Sequence, residues 1–90
     1  MIKHIDILVK GKVQGVFFRQ AAKEKARELG IVGYAENKED GSVYIEAEGE
    51  GETLKEFLNW CKSRPSYAKV DDISSQGSHA IKNFQEFQIR

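Results

Sequence analysis

The stretch Ile31-Val32-Gly33-Tyr34-Ala35-Glu36-Asn37-Lys38-Glu39-Asp40-Gly41-Ser42-Val43-Tyr44-Ile45-Glu46-Ala47-Glu48 decides the architecture. Ile31 to Lys38 reads as a strand, and Asp40-Gly41 is the strongest hairpin signal in the chain. After that turn Val43, Ile45 and Ala47 alternate with Tyr44, Glu46 and Glu48, the period of a half-buried strand. A predicted hairpin therefore occupies the middle of the chain, and its flanks set the rest.

Upstream, Ile5, Ile7 and Val9 alternate with Asp6, Leu8 and Lys10, predicting a first strand. A glycine-containing turn follows, and then Phe18, Ala21, Ala22, Ala26 and Leu29 recur at helical spacing with Lys23, Glu24, Arg27 and Glu28 facing water. Gly30 stands where a helix ends. Downstream, Gly49-Glu50-Gly51 breaks the strand, and Leu54, Phe57, Leu58 and Cys61 form the apolar stripe of a second helix. Thr53 with Glu56 has the spacing of a capping box, and Pro65 lies past the helix end. Ala68 to Gln76 predicts a fourth strand whose alternation is broken by Asp71 and Asp72, as at a sheet edge or a bulge. Phe84, Phe87 and Ile89 predict a short closing strand. The order β-α-β-β-α-β with a short C-terminal strand is the α+β, ferredoxin-like sandwich: an antiparallel sheet with two helices on one face. That fold serves enzymes, RNA binders and ligand sensors alike, so it does not decide function.

Ninety residues suffice for one domain, expected to span 1–90. Hydrophobic residues at 40% and charged residues at 31% fit a soluble globular chain. Fourteen basic side chains balance fourteen acidic ones, which gives no electrostatic reason to expect nucleic acid or membrane as a partner. No apolar run is long enough to span a bilayer, and the first residues read directly into a strand rather than a leader, so the expected location is cytoplasmic. Cys61 is the only cysteine, which excludes an internal disulfide and a cysteine-rich zinc site; its place in an apolar stripe makes it a buried structural thiol.

The candidate for chemistry is Gly11-Lys12-Val13-Gln14-Gly15-Val16-Phe17-Phe18-Arg19, between the first strand and the first helix. By spacing alone the stretch reads either as an anion site or as a tight connection with Arg19 solvated in the first helical turn. The first turn of a helix has N–H groups without intrahelical acceptors, and the helix dipole favours an anion there. Glycines let successive amides converge on such an anion, and Arg19 adds a planar charge that grips two phosphate oxygens. No Gly-Lys-Ser/Thr closes the segment, and its glycine spacing is not that of a dinucleotide fingerprint.

The segment resembles the acylphosphatase signature, a Gly-x-Val-Gln-Gly-Val run followed by an aromatic residue and an arginine, matched here by Gly11, Val13, Gln14, Gly15, Val16, Phe18 and Arg19. The block Gly33-Tyr34-x-x-Asn37-x-x-Asp40-Gly41-Ser42-Val43 also looks like that family, so the resemblance covers essentially the whole chain. It implies a metal-independent, cofactor-free hydrolase acting on a small-molecule acyl phosphate. It further implies that Gln14, Gly15, Val16, Phe17, Phe18 and Arg19 bind the phosphoryl group, and that Arg19 and Asn37 are catalytic, with Asn37 positioning water. Departures are modest. Ala35 and Glu36 replace a bulkier apolar and a basic residue of many relatives, Glu36 being expected to weaken phosphate binding, and Arg64-Pro65-Ser66-Tyr67 replaces a usual Gly-Pro pair.

An acyl phosphate leaves as a carboxylate, whose conjugate acid has a pKa of about 4, so no general acid is demanded. Asn37 is no base at neutral pH, but its amide can orient water. The alternating Glu46, Glu48, Glu50 and Glu52 are expected on a solvated face, Asp71-Asp72 on an exposed strand, and His4 and His79 in surface or rim positions; no metal site is predicted. A single-stranded RNA binder of the same fold would need aromatics on both central strands, and the first strand has none. A regulatory relative that lost turnover, like the acylphosphatase-like domain of hydrogenase-maturation proteins, would not need both catalytic positions filled. The expected molecule is a free-standing, monomeric enzyme.

Overall fold

The computed structural model describes residues 1–63, 68–78 and 81–90. The elements are β1 (Ile2–Lys12), α1 (Phe18–Glu28), β2 (Val32–Asn37), β3 (Val43–Glu50), α2 (Gly51–Lys62), β4 (Lys69–Ser78) and β5 (Phe87–Ile89). They form one five-stranded sheet in the order β4-β1-β3-β2-β5.

The alternation read from the strands selects the core face. Ile7 pairs with Ile45 and Val9 with Val43 across β1 and β3, and all four are fully buried. Phe18, Ala22 and Ala26 of α1 and Leu54, Phe57 and Cys61 of α2 close the same core, so both helices lie on one face. Burial pushes the Cys61 thiol up to about 12, as befits an inert structural cysteine. Gly30, with φ 71, ends α1 as expected.

Several expectations need correction. The sheet is mixed, because β5 runs parallel to β2, with Gly33 opposite Phe87 and Ala35 opposite Ile89. The other strand pairings are antiparallel. Lys82 and Phe84 pack on the open face of the sheet, and the chain then joins the edge opposite β4 in the direction of β2. Phe84 is therefore not in the closing strand. It packs on the open face, its ring stacked on His4 and edge-on to Tyr34.

The Thr53 capping box does not form either. α2 begins at Gly51 with Glu50 as N-cap, and the Thr53 hydroxyl instead donates to the Glu50 carbonyl at 2.8 Å. β4 is the expected edge strand, and its broken alternation has a structural cause. Lys10 pairs with Asp72 and Gly11 with Val70, so Asp71 is the extra residue of a bulge and both aspartates stay exposed. The readings of Pro65, of the Arg64–Tyr67 departure and of His79 fall outside the described residues.

The largest correction concerns His4, Glu46 and Glu48, which are 2%, 4% and 2% exposed rather than solvated. β1 and β3 are interior strands, and residues 81–86 run over their open face. His4 Nδ1 and Glu48 Oε2 are 2.7 Å apart, and Glu48 also accepts the backbone amides of Lys82 and Phe84. Glu46 accepts from Tyr34 at 2.6 Å, Tyr44 at 3.0 Å and Lys82 Nζ at 2.7 Å. Burial alone would raise the Glu46 carboxyl; the hydrogen bonds from Lys82 and the two tyrosines outweigh it and hold it at about 2. Glu48 is likewise lowered, the amides of Lys82 and Phe84 and the His4 ring opposing its desolvation.

Candidate active site

The segment after β1 reaches α1 through two left-handed residues, Gly15 (φ 73) and Phe17 (φ 62). Phe17 is the N-cap of α1, no side chain caps the helix, and its first turn holds no acidic residue. The first-turn amides, which have no intrahelical acceptor, therefore meet no local carboxylate, and the helix dipole there is left for an incoming anion. Gly11 serves the loop differently. Its φ is 132, and a Cβ would stand 2.2 Å from the Lys69 carbonyl oxygen, so only glycine lets β4 close against the base of the loop.

Arg19 lies in the first turn of α1, half-buried, with Nη1 donating to the main-chain oxygen of Arg90 at 2.8 Å. That bond fixes one side of the guanidinium and leaves the rest of its planar fork for a ligand. A hollow of about 300 Å³ opens beside it, lined by Val13, Gly15, Phe17, Phe18, Arg19, Gln20 and Ile89. Of the expected phosphate-binding residues, Gly15, Phe17, Phe18 and Arg19 thus meet in one place. Val16 does not line the hollow; it packs against the core. The side chain of Gln14 also turns away, its Nε2 donating to the Lys38 carbonyl at 2.7 Å and the Ser42 carbonyl at 2.8 Å.

Asn37 is the exposed last residue of β2, opposite Val43 on β3. It does not line the hollow itself. Ile89, which does, pairs with Ala35, and Asn37 is the next residue along that face of β2. The turn beyond Asn37 is closed by hydrogen bonds. Lys38 N–H donates to the Ser42 carbonyl at 2.8 Å, and Asp40 accepts both the amide and the hydroxyl of Ser42. Those bonds from Ser42 lower the Asp40 carboxyl. Glu36, expected to trouble an anion, lies on the opposite face from Asn37 by strand alternation, and its carboxylate is 2.9 Å from Lys38 Nζ.

Sequence reasoning missed Gln20, Ile89 and Arg90 as neighbours of the site. The pattern put Ile89 in a short closing strand, but nothing local placed β5 beside β2. Among the described residues, His4, Asp6 and Glu46 hold potential ligand atoms within 4.8 Å of one another. The Glu46 oxygen in that group already accepts from Lys82, so an ammonium takes the place a cation would fill.

Fold and site together define a small ferredoxin-like domain whose strand-to-helix loop sets an uncapped, acid-free helix start beside Arg19. The acylphosphatase family model matches residues 5–89. A relative named acylphosphatase from Marinobacter nauticus is 45% identical over 87 residues, covering 97% of this chain and 95% of its own. The crystal structure of acylphosphatase from Bacillus subtilis superposes with a TM-score of 0.94 at 34% identity, over 100% of this chain and 99% of that one. Full-length HypF in its phosphate- and nucleotide-bound form contains a similar unit: TM-score 0.88, 27% identity, the whole of this chain against 12% of that one. The chain belongs to the acylphosphatase family, and acyl phosphate hydrolysis is the activity that membership carries. No described helix is long and apolar enough to cross a membrane.

Proposed function

We propose that this protein, acting as a single-domain monomer in the cytoplasm, hydrolyses the carboxyl–phosphate bond of a small acyl phosphate. Arg19 and the loop amides from Gln14 to Phe18 hold the phosphoryl group, and Asn37 orients the attacking water. The observation that carries this reading is one hollow lined both by Arg19 and by the uncapped, acid-free start of α1.

The water oxygen forms the new bond to phosphorus as the phosphorus–carboxyl oxygen bond breaks. The carboxylate departs with the bonding electron pair, and the water protons remain with inorganic phosphate. A carboxylate leaving group needs no protonation, so the task reduces to placing water and stabilising charge on the phosphoryl oxygens. Preorganised amides and a guanidinium suit that task, and one such donor is worth about 3 kcal/mol of barrier elsewhere. Asn37 can accept from water through its carbonyl and donate through its amide. Nothing in these steps calls on a metal or an organic cofactor.

The test is hydrolysis of benzoyl phosphate, followed by loss of its absorbance, with and without a chelator. Turnover equal in both arms is expected. Folded protein that releases no phosphate would sink the proposal, and turnover abolished by the chelator would sink its metal-independent form.

A further inference from the structure

Phe17 combines a left-handed backbone with an exposed aromatic side chain. It sits at the N-cap of α1 with φ 62 and ψ 22, and its side chain makes no capping bond. A residue bearing a Cβ is strained in that left-handed region. The residue is 73% exposed, so burial does not offset the strain. The other exposed large apolar side chains among the described residues, Met1, Ile2 and Ile81, share a groove at the far end of β1. Phe17 alone stands in the hollow with Arg19. Backbone strain of this kind clusters at ligand clamps and active sites, and at Phe17 it has no packing return.

The rest of the lining narrows what that ligand is. Val13 and Phe18 are each only 1% exposed, so the accessible apolar surface comes from Phe17 and half-buried Ile89. Arg19 is the only charged residue of the lining. Resting on the function proposed above, the geometry points to Phe17 as the acyl-group subsite, selecting flat, uncharged, aromatic acyl groups. With the phosphoryl group on Arg19 and the loop amides, the organic remainder lies against the Phe17 ring. A planar ring there stacks in an offset or edge-on fashion. A short aliphatic acyl group covers little of the ring. A second carboxylate finds no second cation and meets the negative face of the ring instead.

The experiment compares kcat/KM for benzoyl, acetyl and succinyl phosphate in the wild type, Phe17→Asn and Phe17→Tyr. Asparagine tolerates the left-handed conformation, so it removes the ring without forcing the loop to move. The wild type is expected to favour benzoyl phosphate over both others. Phe17→Asn should cut the benzoyl-to-acetyl ratio about three- to tenfold, the size of one aromatic contact, chiefly through KM. Phe17→Tyr should restore the ratio. A ratio that does not move, or an equal loss on both substrates with matching weakening of phosphate inhibition, would overturn the subsite while leaving the hydrolase standing. Hydrolysis of none of the three by folded wild type would overturn both.

Discussion

Gln14 Nε2 donates to the Ser42 carbonyl at 2.8 Å, joining the loop after β1 to the turn after β2. A second bond from the same nitrogen, to Lys38, lands on the residue that follows Asn37. The group proposed to hold phosphate and the group proposed to hold water are thereby parts of one braced unit. Gln14→Leu should cost about 1–2 kcal/mol of stability for the two lost bonds, read from urea unfolding. It should lower kcat several-fold while changing phosphate inhibition less. An equal effect on both constants would mean that Gln14 shapes the phosphate cradle and not the position of Asn37.

Arg19→Ala should weaken inhibition by inorganic phosphate and reduce kcat/KM on the order of 10²–10³-fold, the usual size of a lost transition-state donor. Arg19→Lys keeps a charge but not the planar fork, and should recover only part of that loss. Full recovery would show that charge alone suffices.

Asn37→Ala should lower kcat by a similar order while sparing competition by phosphate, because the amide is assigned to water rather than to the phosphoryl group. Steady-state rates with phosphate as competitor separate the two constants. Matching losses in rate and in phosphate affinity would refute the division of roles.

Gly15 and Gly11 both have positive φ, yet alanine should affect them differently. At Gly15 nothing lies within 4 Å of an added Cβ, so Gly15→Ala should cost about 1–2 kcal/mol, the backbone strain alone. At Gly11 the Cβ would also meet β4 backbone at 2.2 Å, so β4 must shift and the loss should be larger. Urea midpoints for the two variants check the order.

Acid should unfold the protein through its buried carboxylates. Glu46 is held at about 2 against an ordinary 4.5, and Glu48 is also lowered. Below the ordinary value the unfolded chain binds protons that the folded one refuses. The stability these groups contribute is therefore complete above about 4.5 and is lost as pH falls toward about 2. Glu46→Gln should flatten that part of the urea-midpoint profile, at a cost of about 2 kcal/mol at neutral pH because Tyr34, Tyr44 and Lys82 lose a charged acceptor. An unchanged slope would show that other carboxylates govern acid unfolding.

Much of the site was legible from local features. The glycines and Arg19 stood between a strand period and a helix period, a junction that fits an anion site but also fits a tight connection, and the family resemblance decided between them. Asn37 had no such signal; as a polar residue before Asp40-Gly41 it looks like any residue entering a turn, and only the resemblance of its whole block marked it. Gln14 was visible as a motif residue, but its work as a brace was not. The carbonyls it holds lie more than twenty residues away, on a turn whose distance from the loop no periodicity encodes.

The amino-acid sequence by itself determined the order of elements, the core face of β1 and β3, the apolar stripes of both helices and the family to which the chain belongs. Each rests on spacing within a few residues or on contiguous motifs. Only the tertiary structure decided what covers the other face of the sheet. Alternation says that His4, Glu46 and Glu48 share a face, but whether that face meets water depends on where the chain goes after β4. It crosses the sheet to lie parallel to β2, and so buries those three residues beneath Lys82 and Phe84 and carries Ile89 and Arg90 to the side of Arg19.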